Sequence, residues 1–442
     1  MKPMMRHASA ARSAGARSLL WPAVVIGLLL IISSGVLAQA AAQTTVVFWS
    51  NHRLEDEPAF QAVIDAFEAA HPHIKIDWQN QVDGQVDYYN QLTVAIIGGV
   101  APDVFYVRPG FDSAIVLSGW TYDIDPLVQR DADELQVGDF IPAQVAELQW
   151  KGKWWALPYD FSVLGLYYNQ DLFDEAGIAY PTPGWSWDDV AEAARKLTRR
   201  EGDVTVQWGM HGLQQIFSAW AEGFFLSFGG TLFDESYTRA AVTNPGAIAT
   251  LELPVALIHE MQVAAPFNAA GYGNLFFTGQ AGMTIDGSWA TTTHRLRNEF
   301  RFDVSALPHG PAGLVATATG GGWAISATTA APEAAWEFVK ALASHDAARK
   351  LIVEPVRSLP PRMSLMREWA AEIEYAGAPV SAGRFADQAI EYGRAVPRVG
   401  FSFGSVLSSY RDRLVYGQIS AREAAEHIER DLQTELDRVA LK

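Results

Sequence analysis

Between Thr45 and Val107 the chain switches repeatedly between two hydrophobic periods, and that switching limits the fold more than any other feature. Thr45 to Trp49 reads as a short buried strand. A helix starts near Pro58, a residue suited to a first turn where its missing N–H matters least. Phe60, Val63, Ile64 and Phe67 recur at i, i+3, i+4 and i+7, and Pro72 stops the helix. Ile74, Ile76 and Trp78 alternate with Lys75 and Asp77, as in a half-buried strand. Tyr88, Leu92 and Ile96 mark a second helix that Gly98-Gly99 ends, and Pro102-Asp103 opens the strand Val104 to Val107. Strand, helix, strand, helix, strand in this order predicts a parallel sheet with crossover helices, an α/β fold.

The pattern resumes further on. Ser186 caps a helix that carries Trp187, Val190, Ala194 and Leu197 on one face. Gly229-Gly230, Asn244-Pro245 and Gly271 to Gly273 punctuate the middle of the chain. Phe302 to Leu307 and Ala324 to Ser326 read as strands, and Pro332 starts a helix bearing Ala335, Phe338, Val339 and Leu342. Ser420 and Glu423 form a capping box for a last helix through Ile428, Leu432 and Leu436.

Residues 1–42 read as a cleavable export signal peptide and stand outside fold reasoning. Lys2, Arg6, Arg12 and Arg17 precede an apolar stretch from Leu19 to Leu37, and Ala38-Gln39-Ala40 is an A-x-A cleavage site. Cysteine is absent. An exported chain without disulfides must rely on a hydrophobic core, which roughly 400 residues can supply. The lack of a lipobox cysteine predicts a soluble periplasmic protein rather than a lipid-anchored one. Losing the four signal cations takes the net charge from −17 to −21. Such a surface repels nucleic acid and anionic membranes, so neither is an expected partner.

Several short motifs occur in a fixed order along the chain. They are Phe48-Trp49, the FEAAHPHIKI run from Phe67 to Ile76, Pro102-Asp103-Val104, and the KGKWWALPYDFSVLGLYYNQDLFDEAGI segment from Lys151 to Ile178. Phe277-Thr278-Gly279-Gln280-Ala281 then leads into Met283 to Trp289 (MTIDGSW), followed by Leu307-Pro308, Gly321-Gly322-Trp323 and PEAAWEF from Pro332 to Phe338. In order and spacing the series resembles the bacterial extracellular solute-binding proteins, the sugar-binding components of ABC importers. The resemblance implies a two-lobe periplasmic-binding-protein fold with three inter-lobe crossings and a ligand cleft between the lobes. The crossings are expected near Leu157 to Tyr159, Val304 to Leu307 and Val356 to Pro360. Residues 43–158 and 307–355 would form the N-terminal lobe, and 159–306 with 356–442 the C-terminal lobe. The function implied is capture of a sugar or oligosaccharide by a monomer and its delivery to transmembrane permease subunits, with no cofactor, no metal and no catalysis.

A neutral sugar offers C–H ring faces and a rim of hydroxyls, so its site needs aromatic plates and polar edges. The resemblance places a stacking ring at Trp289, a second at Trp323 behind Gly322, and an aromatic of the other lobe at Trp220. Tyr159 and Asp160 would lie on the cleft floor, with Asp160 accepting ligand hydroxyls. Asn51 follows the first strand at a position that contacts ligand in maltose-binding relatives. Arg108 ends the third strand, where ligands of open α/β sheets bind. Phe403 falls where relatives supply another ring, and Arg357 and Arg362 at the third crossing read as structural.

Two alternatives remain. Arg108 and the later arginines keep open a receptor for a phosphorylated polyol such as a glycerol phosphate ester. Gly400-Phe401-Ser402-Phe403-Gly404 fits the nucleophile elbow G-x-S-x-G, with Asp412 and His427 in the required order, which leaves a secreted serine hydrolase as a remote alternative. Its context is poor, because Pro397 and Arg398 precede the motif where a buried strand should run. No spaced carboxylate pair of a glycosidase stands out. His71 and His73 flank the helix-breaking Pro72 and share no ligating face.

Overall fold

β1 (Thr44–Ser50) lies between β2 (Ile74–Asn80) and β3 (Val104–Val107) and runs parallel to both. The crossover helices are α1 (Glu57–Ala70), with Phe60, Val63, Ile64 and Phe67 all buried, and α2 (Gln85–Ile97). The start of the chain therefore folds as its periodicity requires. The computed structural model describes residues 43–440 except 82–84, 109–114, 116–117, 268–274, 376–380 and 398. The predicted signal peptide and Gly271 to Gly273 lie outside the described residues.

Further along come α3 (Pro142–Glu147), β4 (Leu157–Asn169), α4 (Trp187–Leu197), β5 (Arg199–Glu201) and β6 (Val204–His211). They are followed by α5 (Ala221–Ser227), β7 (Ala281–Gly287), α6 (Thr291–Arg297), β8 (Phe302–Ser305) and β9 (Ala316–Ile325). α7 (Pro332–Leu342), β10 (Gly393–Arg394), α8 (Phe403–Val415) and α9 (Ala421–Ala440) complete the elements used below. The strands form one sheet in the order β2-β1-β3-β9-β4-β7-β6-β5, with β8 also pairing with β4 and β10 with β9. Both capping boxes form: Ser186 with Asp189 at α4, and Ser420 with Glu423 before α9.

Buried side chains fall into three cores. The first gathers β1 to β3, Leu157, Tyr159, Trp323 to Ile325 and α7. The second holds Met283, Ile285, Leu307, Ala316 and the buried faces of α4, α8 and α9. The third holds Phe161, Val163, Tyr167, Ala318, Val353 and Leu359. β4, buried over all 13 of its residues, leaves the first core at Asp160. β9 enters that core only after Gly320–Gly322, beyond the stretch Val304 to Leu307 where a change of core was expected. The reason is local: β8 pairs with the far end of β4, so the chain is still on that side of the sheet at Ser305.

β9 is longer than the strand expected from Ala324 to Ser326, because three glycines at its middle, Gly320 to Gly322, interrupt the pattern that would join its two ends. Those glycines are demanded by contact. A Cβ at Gly320 would stand 1.9 Å from the Asp160 carbonyl oxygen, and one at Gly321 2.1 Å from the Tyr106 ring. The β4–β9 register slips between Gly321 and Gly322, a bulge that leaves backbone groups outside the ladder. Side chains satisfy them. Gly321 N donates to Asp160 Oδ1 (2.7 Å) and Gly320 N to Glu147 Oε2 (3.0 Å). Gln144 Nε2 donates to the carbonyls of Asp160 (2.6 Å) and Gly321 (2.9 Å).

At the third expected crossing, Ile352 belongs to the first core and Val353 to the third. Val356 holds φ at 51°, in the left-handed region, and is the only β-branched residue among the described non-glycines with positive φ. Its carbonyl accepts from Thr292 Oγ1 (2.8 Å), and Arg357 forms an ion pair with Asp56. Arg362 is buried, as a structural residue should be, and donates to the carbonyls of Leu135 (3.0 Å) and Ala343 (2.7 Å).

Gly321→Ala should lower stability by about 1–3 kcal/mol through overpacking against Tyr106. Gly138→Ala, where a Cβ meets nothing within 4 Å, should stay within roughly 0.5 kcal/mol of the parent. Urea denaturation of the two variants checks the contrast.

Candidate functional site

The expected site residues assemble in two groups. The first surrounds the β4–β9 bulge. Asp160 is buried, with Oδ2 3.4 Å from Arg108 Nη2 and Oδ1 3.4 Å from the Tyr106 hydroxyl, besides its bond to Gly321 N. Its carboxylate therefore holds the ladder and neutralises Arg108. Tyr159 and Trp323 pack at 4.6 Å between ring centroids, and both are buried. Trp323 has no open face, being surrounded by Phe48, Phe60, Tyr106 and Tyr159. In this structure it is a core residue, contrary to the plate expected there. Gly322 lies in mid-strand, opposite Val107 and Pro158, and the space beside it is taken by Leu157 and Leu148. Asn51 is half-buried, and its Nδ2 donates to the Gln81 carbonyl.

His52, which the sequence reading passed over, sits at the centre of this group. Its ring lies 4.3 Å from Phe60, 5.0 Å from Tyr159, 5.4 Å from Tyr106 and 5.6 Å from Trp323. Among the described residues neither ring nitrogen has a hydrogen-bond partner. Burial, reinforced by the charges of Arg357 and Arg108, holds its pKa well below the usual histidine range. A histidine kept neutral in the fold but free to protonate when unfolded favours the fold above about pH 6.5 and weakens it as the pH falls below. The only sequence cue was adjacency to Asn51.

The second group is a tryptophan pair. Trp220 and Trp289 pack at 5.1 Å with 31° between their planes. Trp220 is buried, whereas Trp289 keeps part of its surface. Trp220 precedes α5, and its carbonyl accepts from Thr317 Oγ1 of β9 (2.9 Å). Gly287, two residues before Trp289, pairs with Leu164 of β4. That is four residues along the strand from Asp160, about 13 Å. One strand thus carries the registers of both groups.

Other expectations settle elsewhere. Phe403 is buried against Phe233 in the second core. Ser402 Oγ lies 2.9 Å from Ser405 Oγ at the start of α8, Asp412 accepts from Arg411, and the His427 ring packs on Tyr410. These three residues do not form the hydrogen-bonded chain that a nucleophile elbow needs. Among the described residues no cluster of His, Cys, Asp or Glu is arranged for a metal ion, and no helix is long and apolar enough to cross a membrane.

A profile of the bacterial extracellular solute-binding proteins matches residues 52–349, and the chain belongs to that family. The maltotriose-binding protein of Pyrococcus abyssi is 23% identical over 67% of this chain and 61% of its own length. The sn-glycerol-3-phosphate-binding periplasmic protein of Escherichia coli is 24% identical over 63% of this chain and 64% of its own. In three dimensions the chain superposes on the substrate-binding protein of Listeria monocytogenes solved in complex with cycloalternan. The TM-score is 0.75 at 21% identity, over 89% of this chain and 98% of the other.

Glu222, in the first turn of α5 beside Trp220, has a pKa pushed up to about 7 by burial, against hydrogen bonds from Leu232 and Thr231. A carboxyl raised in the fold contributes stability that is complete below about pH 4.5 and lost as the pH rises through 7. Glu222→Gln should therefore match the parent near pH 4.5 and exceed it by roughly 3 kcal/mol at pH 8. Thermal denaturation across this range tests the sign.

Proposed function

We propose that this protein binds a sugar or short oligosaccharide outside the cytoplasm and presents it to the permease of an ABC importer. The carrying observation is Trp289, partly buried, tilted against Trp220 at 5.1 Å between ring centroids and keeping part of its indole surface open. Stacking on C–H faces is how a protein holds a neutral ring without charge. The phosphate alternative is favoured by the E. coli relative's ligand and by the nearness of Arg108. Against it, each arginine near the first group already faces a carboxylate: Arg108 faces Asp160 and Arg357 faces Asp56. A phosphate would have to displace one of them.

Asn51 and Arg108 are the polar contacts we assign to the ligand rim. Tyr159, Asp160, Gly322 and Trp323 serve as the floor that holds the rim in place. We further propose lobes that divide at Asp160, at Gly320–Gly322 and near Ile352–Val353, with the changes of core at the first two points as support. Closure of the lobes on a ligand touching both would follow from its greater affinity for the closed state. The ATP-hydrolysing and membrane-spanning parts would be separate chains.

Calorimetric titration against maltose, maltotriose, cycloalternan, sn-glycerol 3-phosphate and glycerophosphocholine tests the reading. We expect a saccharide to bind at micromolar Kd, near −8 kcal/mol, and Trp289→Ala to weaken it by about 100-fold, some 2.7 kcal/mol. Arg108→Ala should weaken it less. Tight binding of the phosphate esters alone, abolished by Arg108→Ala, would falsify the sugar assignment.

A further inference from the structure

Trp289 stands on a three-residue 3-10 turn, Ser288–Ala290, between β7 and α6. So short a turn needs little support, yet side chains from two strands and a helix converge on its backbone. Asp286 Oδ1 accepts from Gly287 N (2.8 Å), and the Tyr167 hydroxyl of β4 donates to the Gly287 carbonyl (2.9 Å). Thr291 Oγ1 lies 2.8 Å from that hydroxyl and donates to the Ser288 carbonyl (3.0 Å). His294, one turn into α6, places Nε2 3.2 Å from Asp286 Oδ2. Its ring is fully buried and boxed by Tyr167 at 4.4 Å, Phe277 at 4.6 Å and Phe276 at 5.2 Å.

The indole itself leaves no room for adjustment on its protein side. A Cβ at Gly287 would stand 2.0 Å from the Trp289 ring, so the ring lies directly over that glycine, with Trp220 beside it. Rotation of the 287–288 peptide would therefore swing the indole off both supports.

We propose that Asp286, His294 and Tyr167 are positioning residues for ligand binding: together they fix the plane of the Trp289 indole before a ligand arrives. Hydrogen bonds that converge on one short turn hold its backbone in one arrangement, and they do so here although His294 Nδ1 and Ser288 Oγ have no hydrogen-bond partner among the described residues. A pre-set plate spares the ligand the entropy of ordering it. The link to ligand rests on the sugar reading above; the fixing of the indole does not.

The test replaces tryptophan by 5-fluorotryptophan and follows the Trp289 resonance, assigned with Trp289→Phe, in ligand-free protein, alongside maltotriose affinity. His294→Leu keeps much of the volume and loses the donor. His294→Gln restores a donor at the position of Nε2, and Tyr167→Phe removes only the hydroxyl. We expect His294→Leu and Tyr167→Phe to shift or broaden the Trp289 line and to weaken maltotriose binding about tenfold. His294→Gln should recover most of both. A Trp289 line unchanged in His294→Leu and Tyr167→Phe overturns the bracket. So does a loss of affinity that Gln fails to restore while the line stays put, since that marks a general packing defect. A perturbed line in a protein whose parent binds no saccharide supports the bracket and overturns only the sugar reading.

Discussion

The antiparallel ladder between β4 and β9 is the constraint on which the rest of the structure depends. Both strands serve more than one core, so neither can shift without disturbing the other halves of the sheet. At the point of transfer the ladder bulges, and the freed backbone groups of Gly320, Gly321 and Asp160 are met by Glu147, Gln144 and the Asp160 carboxylate. Each such group left unsatisfied in a buried place would cost about 1–3 kcal/mol. This explains why polar residues on the floor are so deeply buried. They are occupied with holding the strands.

Two tryptophans with the same sequence credentials end in different surroundings. Trp323 and Trp289 each follow glycine closely, and each matches the family motif. Trp323 lies within a strand flanked by β3 and β4 and is enclosed on every side. Trp289 lies just past the end of its strand, where the sheet no longer covers it. What separates them is position relative to a strand end, and the three glycines at the middle of β9 hid the extent of that strand from any reading by periodicity.

The sequence was most legible where one element decides its own structure. Apolar spacing located β1 to β3 and α1, and Ser186 and Ser420 marked true helix starts, because period and cap are local properties. It was least legible where the partner is distant. His52 touches Tyr159 and Trp323, more than a hundred residues away. Tyr167 reaches a carbonyl 120 residues further on. Asp160, expected on a cleft floor as an acceptor for ligand hydroxyls, instead has its carboxylate beside Gly321 N, Arg108 and the Tyr106 hydroxyl, partners 161, 52 and 54 residues away in sequence.

Val356 carries a consequence of its own. A branched residue held in the left-handed region lies of order 1–3 kcal/mol above a relaxed conformation, and it is kept there by Thr292 on one side and the Arg357–Asp56 pair on the other. If the proposed lobes divide here, a joint built this way would have a preferred rest angle, as a sprung door does and a slack one does not. Glycine at this position would remove the spring without removing the joint, and the free protein would then sample a wider spread of dimensions in small-angle scattering. The bias of the protein before it meets any ligand would thus be written in one side chain, tied through Thr292 to the helix that follows the Trp289 turn.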